Sequence, residues 1–291
     1  MTPYVADPVY LNGRFLPLAE AGISPLDRGF LYGDGVYELV PVYSRRPFRL
    51  AEHLTRLQAT LDGIRLANPL DAAGWTAVVE RLIAEAPWAD QSIYLQVTRG
   101  ADNKRDHAFP PATVPPTAFA FSSPLVTTPA SVRATGVAAI TVADERWAHC
   151  NLKVISLLAN ILARQQAVDT GCAEALLIRD GWLKEGAASN IFVVKGGVLL
   201  APPKTQFMLP GITYDVVLEL AACHGQPLEI REIHETELRA ADEVWMTSST
   251  KEVLAITTLD GRPVGSGTPG PLGEQMWQWY HNFKHSVMPK G

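Results

Sequence analysis

The chain has 291 residues, of which 47% are hydrophobic and 19% charged, as expected for a well-packed globular protein of one large or two ordinary domains. A net charge of −5 and the lack of a Lys/Arg-rich run argue against nucleic-acid binding, which requires a basic patch. No basic N-terminal stretch precedes an apolar segment, and no apolar run reaches the ~18 residues of a membrane span. We therefore expect neither secretion nor membrane insertion.

The first 123 residues are predicted to form an α/β domain. Asn12-Gly13 indicates a type I′ hairpin, because both residues tolerate the positive φ angles of that turn. A β-branched and aromatic run predicts a strand over 36–43, and leucines at spacings of three and four predict a helix around 54–64. A second helix over 75–84 and strands over 93–98 and 117–121 complete this domain.

The segment 122–129 contains two prolines and small polar residues, which disfavour both a helix and a central strand. We therefore place an interdomain linker at 124–129 and a C-terminal cofactor-binding domain at 130–291. A helix follows Lys153, with Ser156 as its predicted cap and one apolar face formed by Leu157, Leu158, Ile161, Leu162 and Gln165. The other predicted elements are strands over 138–142, 174–179, 191–194 and 243–246 and helices over 213–222 and 272–284.

Lys153 and Glu185 are charged residues in surroundings that favour apolar ones. A lysine or glutamate at an arbitrary position is more often a surface residue. A buried ammonium and a buried carboxylate each cost several kcal/mol, however, unless pairing or chemistry offsets the cost. Pyridoxal phosphate uses both groups, because its aldehyde bonds to a lysine as a Schiff base and its ring nitrogen requires a charged partner.

Two segments could hold the phosphate of such a cofactor. Gly211-Ile212-Thr213 opens a predicted helix, whose unpaired N–H groups and positive dipole end attract an anion. Ser248-Ser249-Thr250 follows a predicted strand and offers hydroxyls and amides. Both patterns are also common in ordinary turns and helix starts. Arg56 lies off the apolar stripe of its helix and could supply a guanidinium to the same phosphate.

Four motifs together resemble the class IV, or fold-type IV, pyridoxal-phosphate aminotransferases. They are the lysine at 153, the Glu-Gly-x-x-Ser-Asn sequence at 185–190, the Gly-Ile-Thr helix start at 211–213 and the stretch Asp27–Glu38. The resemblance covers nearly the whole chain. It implies an α/β (α+β) fold of two domains with pyridoxal 5′-phosphate at their interface, and a homodimer. Lys153 is then the Schiff-base lysine and Glu185 the partner of the ring nitrogen.

The same resemblance suggests how a substrate is bound. Arg105 and His107 resemble the Arg-x-His pair with which D-amino-acid transaminases bind the substrate α-carboxylate, together with a tyrosine that matches Tyr37. In the family the Arg-x-His pair reaches in from the neighbouring subunit. Arg146 and Asn190 are expected to support the cofactor site from behind Glu185.

We therefore expect a D-amino-acid transaminase that moves the amino group of D-alanine or a similar substrate to a 2-oxo acid by ping-pong kinetics. The alternatives within the family are an R-selective amine transaminase, a branched-chain aminotransferase and an aminodeoxychorismate lyase, and a non-catalytic pyridoxal-phosphate-binding protein is a remote one. The histidines are scattered, so no catalytic metal is expected. Three cysteines without a Cys-x-x-Cys pair fit a cytoplasmic protein.

Overall fold

A computed structural model describes residues 4–287, which group into two compact units. Unit 1 contains residues 4–125 together with Leu152–Ser156, and unit 2 contains 126–151 and 157–287. The lysine segment thus makes its contacts within unit 1, although it lies between two stretches of unit 2 in the sequence. The linker at 124–129 stays a prediction. No helix among residues 4–287 is long and apolar enough to cross a membrane.

Unit 1 is built around a six-stranded antiparallel sheet with the order β2-β1-β6-β5-β3-β4. Its elements are β1 (Val9–Leu11), β2 (Arg14–Leu16), a short 3-10 helix (Leu18–Glu20), α1 (Arg28–Tyr32), β3 (Gly35–Tyr43), β4 (Arg46–Pro47), α2 (Leu50–Gly63), α3 (Ala72–Glu85), β5 (Gln91–Thr98) and β6 (Thr117–Pro124). The predicted hairpin is confirmed, since Asn12 and Gly13 have φ angles of 48° and 86°. Apolar residues of α2 and α3, such as Leu57 and Trp75, pack in one core with strand residues.

Strand β6 extends further than its sequence indicates. Ser122, Ser123 and Pro124 continue the strand, whereas their composition predicted a break. The reason is a polar partner: the Ser122 hydroxyl donates to Gln91 Oε1 at 2.7 Å, so the buried serine is satisfied within the sheet. Pro124 lies at the end of the strand, where a missing N–H is tolerated.

Unit 2 contains a nine-stranded mixed sheet with the order β12-β11-β10-β13-β14-β7-β8-β9, and β15 pairs with β14. Strand β7 runs parallel to both β14 and β8. The elements are α4 (Ala130–Thr135), β7 (Val137–Ala143), α5 (Leu158–Asp169), β8 (Glu174–Arg179), β9 (Trp182–Gly186), β10 (Asn190–Lys195), β11 (Val198–Ala201), α6 (Ile212–Cys223), β12 (Leu228–Ile230), α7 (Glu235–Arg239), β13 (Glu243–Ser248), β14 (Glu252–Leu259), β15 (Arg262–Pro263) and α8 (Pro271–Val287). The mixed α/β architecture expected from the sequence is confirmed.

Helix α5 differs from its prediction in its cap and in its buried face. Leu157 is the N-cap residue and gives no side-chain cap, whereas the Ser156 hydroxyl donates to the Gly33 carbonyl at 3.3 Å. The buried residues of α5 are Ala163 and Ala167, which pack with small and apolar residues around β8. Small side chains allow the helix to approach the sheet closely, so the larger apolar face points outward. Leu158, Ile161 and Leu162 are 68%, 59% and 56% exposed.

Candidate active site

The backbone of the lysine segment is held by strand β3 and helix α2. Tyr37 N donates to Lys153 O at 3.0 Å, and Ile155 N donates to Gly35 O at 3.0 Å. Lys153 N also lies 3.5 Å from Thr60 Oγ1, the hydrogen-bond acceptor on α2. The Lys153 ammonium nitrogen is 4.0 Å from the centroid of the Tyr37 ring. The side-chain amine is thus presented from a fixed backbone, beside an aromatic face that favours a cation.

A buried ionic cluster lies on the neighbouring part of unit 1. Glu38 is fully buried and accepts hydrogen bonds from Arg56 Nε at 2.7 Å and Arg56 Nη2 at 2.8 Å. His53 Nδ1 lies 2.8 Å from the second Glu38 oxygen. Burial alone would raise the pKa of Glu38, but the Arg56 charge and these hydrogen bonds hold it well below its usual range. Burial lowers the pKa of His53, so the neutral imidazole donates through Nδ1 to an ionised Glu38.

Arg56 is thus bound at both Nε and Nη2 by Glu38, and its side chain is 10% exposed. This arrangement orients the guanidinium through a bidentate contact. Its predicted role at a phosphate stays a prediction.

Unit 2 places Glu185 at the end of a second ionic cluster. Arg146 contacts Glu185 through Nη1, while its Nε and Nη2 bind the two oxygens of Asp144 at 2.8 and 3.0 Å. Arg179 Nε donates to Asp144 as well, at 3.2 Å, and Arg179 Nη2 donates to the Arg146 carbonyl at 2.6 Å. Because Asp144 takes the bidentate face of Arg146, only one guanidinium nitrogen of Arg146 is directed at Glu185.

Glu185 also accepts two hydrogen bonds from neutral donors. Asn190 Nδ2 lies 3.3 Å and Leu209 N lies 3.2 Å from Glu185 Oε2. Burial raises the pKa of Glu185 to about 7, although Arg146 and the Leu209 amide oppose the shift and Asp144 adds to it. The carboxylate is therefore held in place by Arg146 and Asn190 but lacks full charge compensation.

The predicted phosphate segments lie at a helix start and at a strand end of unit 2. Gly211 is the N-cap residue of α6 and provides no side-chain cap for the first amides of the helix. A Cβ at position 211 would lie 2.0 Å from Asn190 Oδ1, so glycine is required for this approach. Ser248 ends β13, and its hydroxyl accepts from Lys251 N at 3.1 Å, which shapes the turn through Ser249.

Arg105 and His107 lie on an exposed loop of unit 1 and meet at the ring of Tyr32. Tyr37 belongs to another cluster, because its ring contacts Lys153 and stacks on Tyr94 at 5.7 Å. The structure thus brings the predicted Arg-x-His pair together within one unit but places Tyr37 with the lysine.

Three residues of these clusters were not among the candidates from sequence. Glu38 interrupts an otherwise apolar strand, which is a signal of a buried charge. Asp144 stands two residues before Arg146, a spacing that could have indicated their pairing. Tyr32 carries no such signal, since an aromatic residue on a short helix usually belongs to a core.

The residues present fit pyridoxal phosphate as judged by their donor set. Unit 1 presents the Lys153 amine beside an aromatic ring, and unit 2 contains a buried carboxylate of raised pKa and a 12-residue helix whose first amides have no side-chain cap. These groups match an aldehyde, a ring nitrogen and a phosphate respectively.

Comparison with known proteins gives consistent matches over most of the chain. The model of the family described as amino-transferase class IV matches residues 35–259. The D-alanine aminotransferase of Bacillus licheniformis is 38% identical over 265 residues, which cover 91% of this chain and 92% of that protein. The D-alanine aminotransferase of Staphylococcus epidermidis is 35% identical over 281 residues, which cover 96% of this chain and 99% of that protein.

Similar solved structures carry a different substrate name. The branched-chain amino acid aminotransferase of Escherichia coli has a TM-score of 0.88 at 25% identity, covering 95% of this chain and 94% of that one. A second branched-chain amino acid aminotransferase, from the organism abbreviated T.th. and solved with pyridoxamine 5′-phosphate, has a TM-score of 0.88 at 27% identity, covering 95% and 93%.

Proposed function

Because the chain belongs to the class IV aminotransferases, which use pyridoxal phosphate, we propose that it is a D-amino-acid transaminase that acts by ping-pong kinetics. The observation that carries this proposal is the 38% identity to a D-alanine aminotransferase over 91% of the chain. D-Alanine is the proposed amino donor, and a 2-oxo acid such as 2-oxoglutarate is the proposed acceptor.

Pyridoxal phosphate supplies an aldehyde that bonds to amines and a ring that withdraws electrons from the substrate Cα. We assign the covalent attachment to Lys153 Nζ, whose backbone is fixed by β3 and α2. After the substrate amine has displaced it, the same nitrogen holds the proton removed from Cα and returns it to the cofactor carbon, as a general acid and base. The Tyr37 ring limits where the amine can move.

Glu185 is assigned to the ring nitrogen. An ionised carboxylate there favours the protonated, electron-withdrawing ring, and Arg146 and Asn190 keep the carboxylate oriented. We assign the phosphate to the amides of Gly211, Ile212 and Thr213, to Ser248 and Ser249, and to Arg56.

The substrate α-carboxylate is assigned to Arg105, His107 and Tyr37. Three donors on one carboxylate fix which face of the substrate presents its Cα hydrogen, and so fix its handedness. Because Arg105 and His107 contact Tyr32 rather than Tyr37 within unit 1, we assign them to the site of the partner in a homodimer. The exposed apolar face of α5 supports a homodimer, since large apolar patches mark interfaces. We also propose a cytoplasmic location, supported by three free cysteines.

The test is a single-turnover survey with stoichiometric holoenzyme. D-Alanine, L-leucine, L-alanine and (R)-1-phenylethylamine are mixed separately with the enzyme, and pyridoxamine phosphate and the oxo product are quantified. We expect conversion with D-alanine far above the L-amino acids. Faster conversion of L-leucine would establish the branched-chain alternative, which the similar solved structures favour. Preference for the amine would establish an R-selective amine transaminase.

A further inference from the structure

The ring of Tyr32 is the meeting point of the loop that carries the proposed carboxylate-binding pair. The Arg105 guanidinium carbon lies 5.1 Å from the ring centroid, within the range of a cation–π contact. The His107 ring lies 5.5 Å from the same centroid at an interplanar angle of 48°. A single aromatic side chain on α1 therefore contacts both members of the Arg-x-His pair.

The backbone of that loop is anchored independently of Tyr32. Arg28, which is 6% exposed, donates to the carbonyls of Asp106 at 2.6 Å, His107 at 3.4 Å and Ala108 at 3.1 Å. Its charge is balanced by Asp34 at 2.8 Å. The loop is thus fixed as a chain segment, while the exposed side chains of Arg105 and His107 still require a lateral support.

We propose that Tyr32 is a positioning residue that holds Arg105 and His107 in the orientation needed for the substrate α-carboxylate. This inference rests on the proposed function. A long, exposed arginine loses rotamer freedom when it binds an anion, and a ring that restricts it beforehand reduces that loss. Tyr32 itself acts through Arg105 and His107 and does not touch the substrate.

The ring, and not the hydroxyl, carries this role. The Tyr32 hydroxyl is buried and has no hydrogen-bond partner among residues 4–287, so it has no access to an incoming carboxylate. A phenylalanine would keep both ring contacts. This separates the inference from a direct hydrogen-bonding role of the tyrosine.

The experiment compares wild type, Tyr32→Leu and Tyr32→Phe with D-alanine and with D-alaninol, in which a hydroxymethyl group replaces the carboxylate. We expect Tyr32→Leu to raise KM for D-alanine about tenfold while kcat changes less than about threefold, because binding and not chemistry is weakened. D-Alaninol kinetics stay unchanged, and Tyr32→Phe behaves as wild type. An equal loss with both substrates, or an unchanged KM, overturns the inference.

The matched control is Phe15→Leu, which removes another arginine–aromatic contact of unit 1, the one with Arg81 at 4.0 Å. It should leave the ratio of D-alanine to D-alaninol turnover unchanged. A readout without turnover is the ring-current shift of the Arg105 side-chain protons by NMR, expected upfield in wild type and lost in Tyr32→Leu. If Tyr32→Leu does not fold, absence of that shift in wild type overturns the inference.

Failure of the two proposals is distinguishable. A wild type that does not convert D-alanine contradicts the proposed function. Normal D-alanine turnover in wild type with an unchanged KM in Tyr32→Leu contradicts the role of Tyr32 alone.

Discussion

Two buried carboxylates of this protein, Glu38 in unit 1 and Glu185 in unit 2, have opposite electrostatic environments. They are 0% and 5% exposed, and each contacts an arginine. The pKa of Glu38 is nevertheless held well below its usual range, whereas burial raises the pKa of Glu185 to about 7. Contact with a guanidinium therefore does not by itself decide the charge of a buried acid.

The difference lies in how each arginine is shared. Arg56 directs two nitrogens at Glu38, and His53 adds a third bond. Arg146 directs two nitrogens at Asp144 and one at Glu185. Glu38 is consequently a permanent anion that orients Arg56, while Glu185 retains the capacity to gain from another cationic partner, such as a protonated ring nitrogen.

The largest effect is expected on stability, from Glu38→Gln. Removing one partner of a buried ion pair leaves Arg56 uncompensated, which costs about 3–5 kcal/mol of the free energy of unfolding. Chemical denaturation at pH 7 measures it. Glu235→Gln, in an exposed pair with Arg239, is the control and should cost less than about 1 kcal/mol. Equal losses in the two variants would show that Glu38 is not specially stabilised.

The pH dependence of stability should differ in sign between the two acids. The folded-state pKa of Glu185, about 7, lies above the ordinary 4.5, so its contribution is present below pH 4.5 and lost as pH rises through 7. The stability of cofactor-free Glu185→Gln relative to wild type should therefore rise by about 3 kcal/mol between pH 4.5 and 8. Glu38 contributes above its ordinary pKa and loses its contribution in acid.

Denaturation of both proteins across that pH range tests the expected change. A flat difference between Glu185→Gln and wild type would mean that Arg146 keeps Glu185 ionised. Added pyridoxal phosphate should also flatten it, because a cationic ring nitrogen lowers the pKa of the carboxylate.

Activity should separate the two acids next. Glu185→Gln cannot stabilise a protonated ring nitrogen, and loss of such an electrostatic contribution lowers kcat about 100-fold. Steady-state turnover of D-alanine measures it, with absorbance to verify that cofactor is bound. A kcat within about threefold of wild type would remove Glu185 from the reaction.

The smallest effect concerns Asp144→Asn, which tests why the environments differ. The Asp144 charge competes for Arg146 and raises the pKa of Glu185, so its removal should lower that pKa. Carbon-13 NMR of the carboxyl group follows the titration. An unchanged or higher value would mean that the sharing of Arg146 is not the cause.

Much of the fold followed from local patterns. Asn12-Gly13 predicted its hairpin, and leucine spacing predicted α2, because both signals depend on the φ angles or the helical period of neighbouring residues. The face of α5 could not be predicted in this way. Its sequence offers both an apolar face and a face of alanines, and only the packing against β8 selects between them.

The sequence by itself determined the family, since the lysine, the Glu-Gly-x-x-Ser-Asn motif and the helix start of a cofactor site keep recognisable spacing along one chain. It also indicated Lys153, Glu185 and the Arg-x-His pair. Only the tertiary structure decided which charges meet: Glu38 with Arg56, Asp144 with Arg146, and Tyr32 with Arg105. Ionic contacts join residues far apart in the chain, and their strength depends on burial and on competing partners, which residue order does not encode.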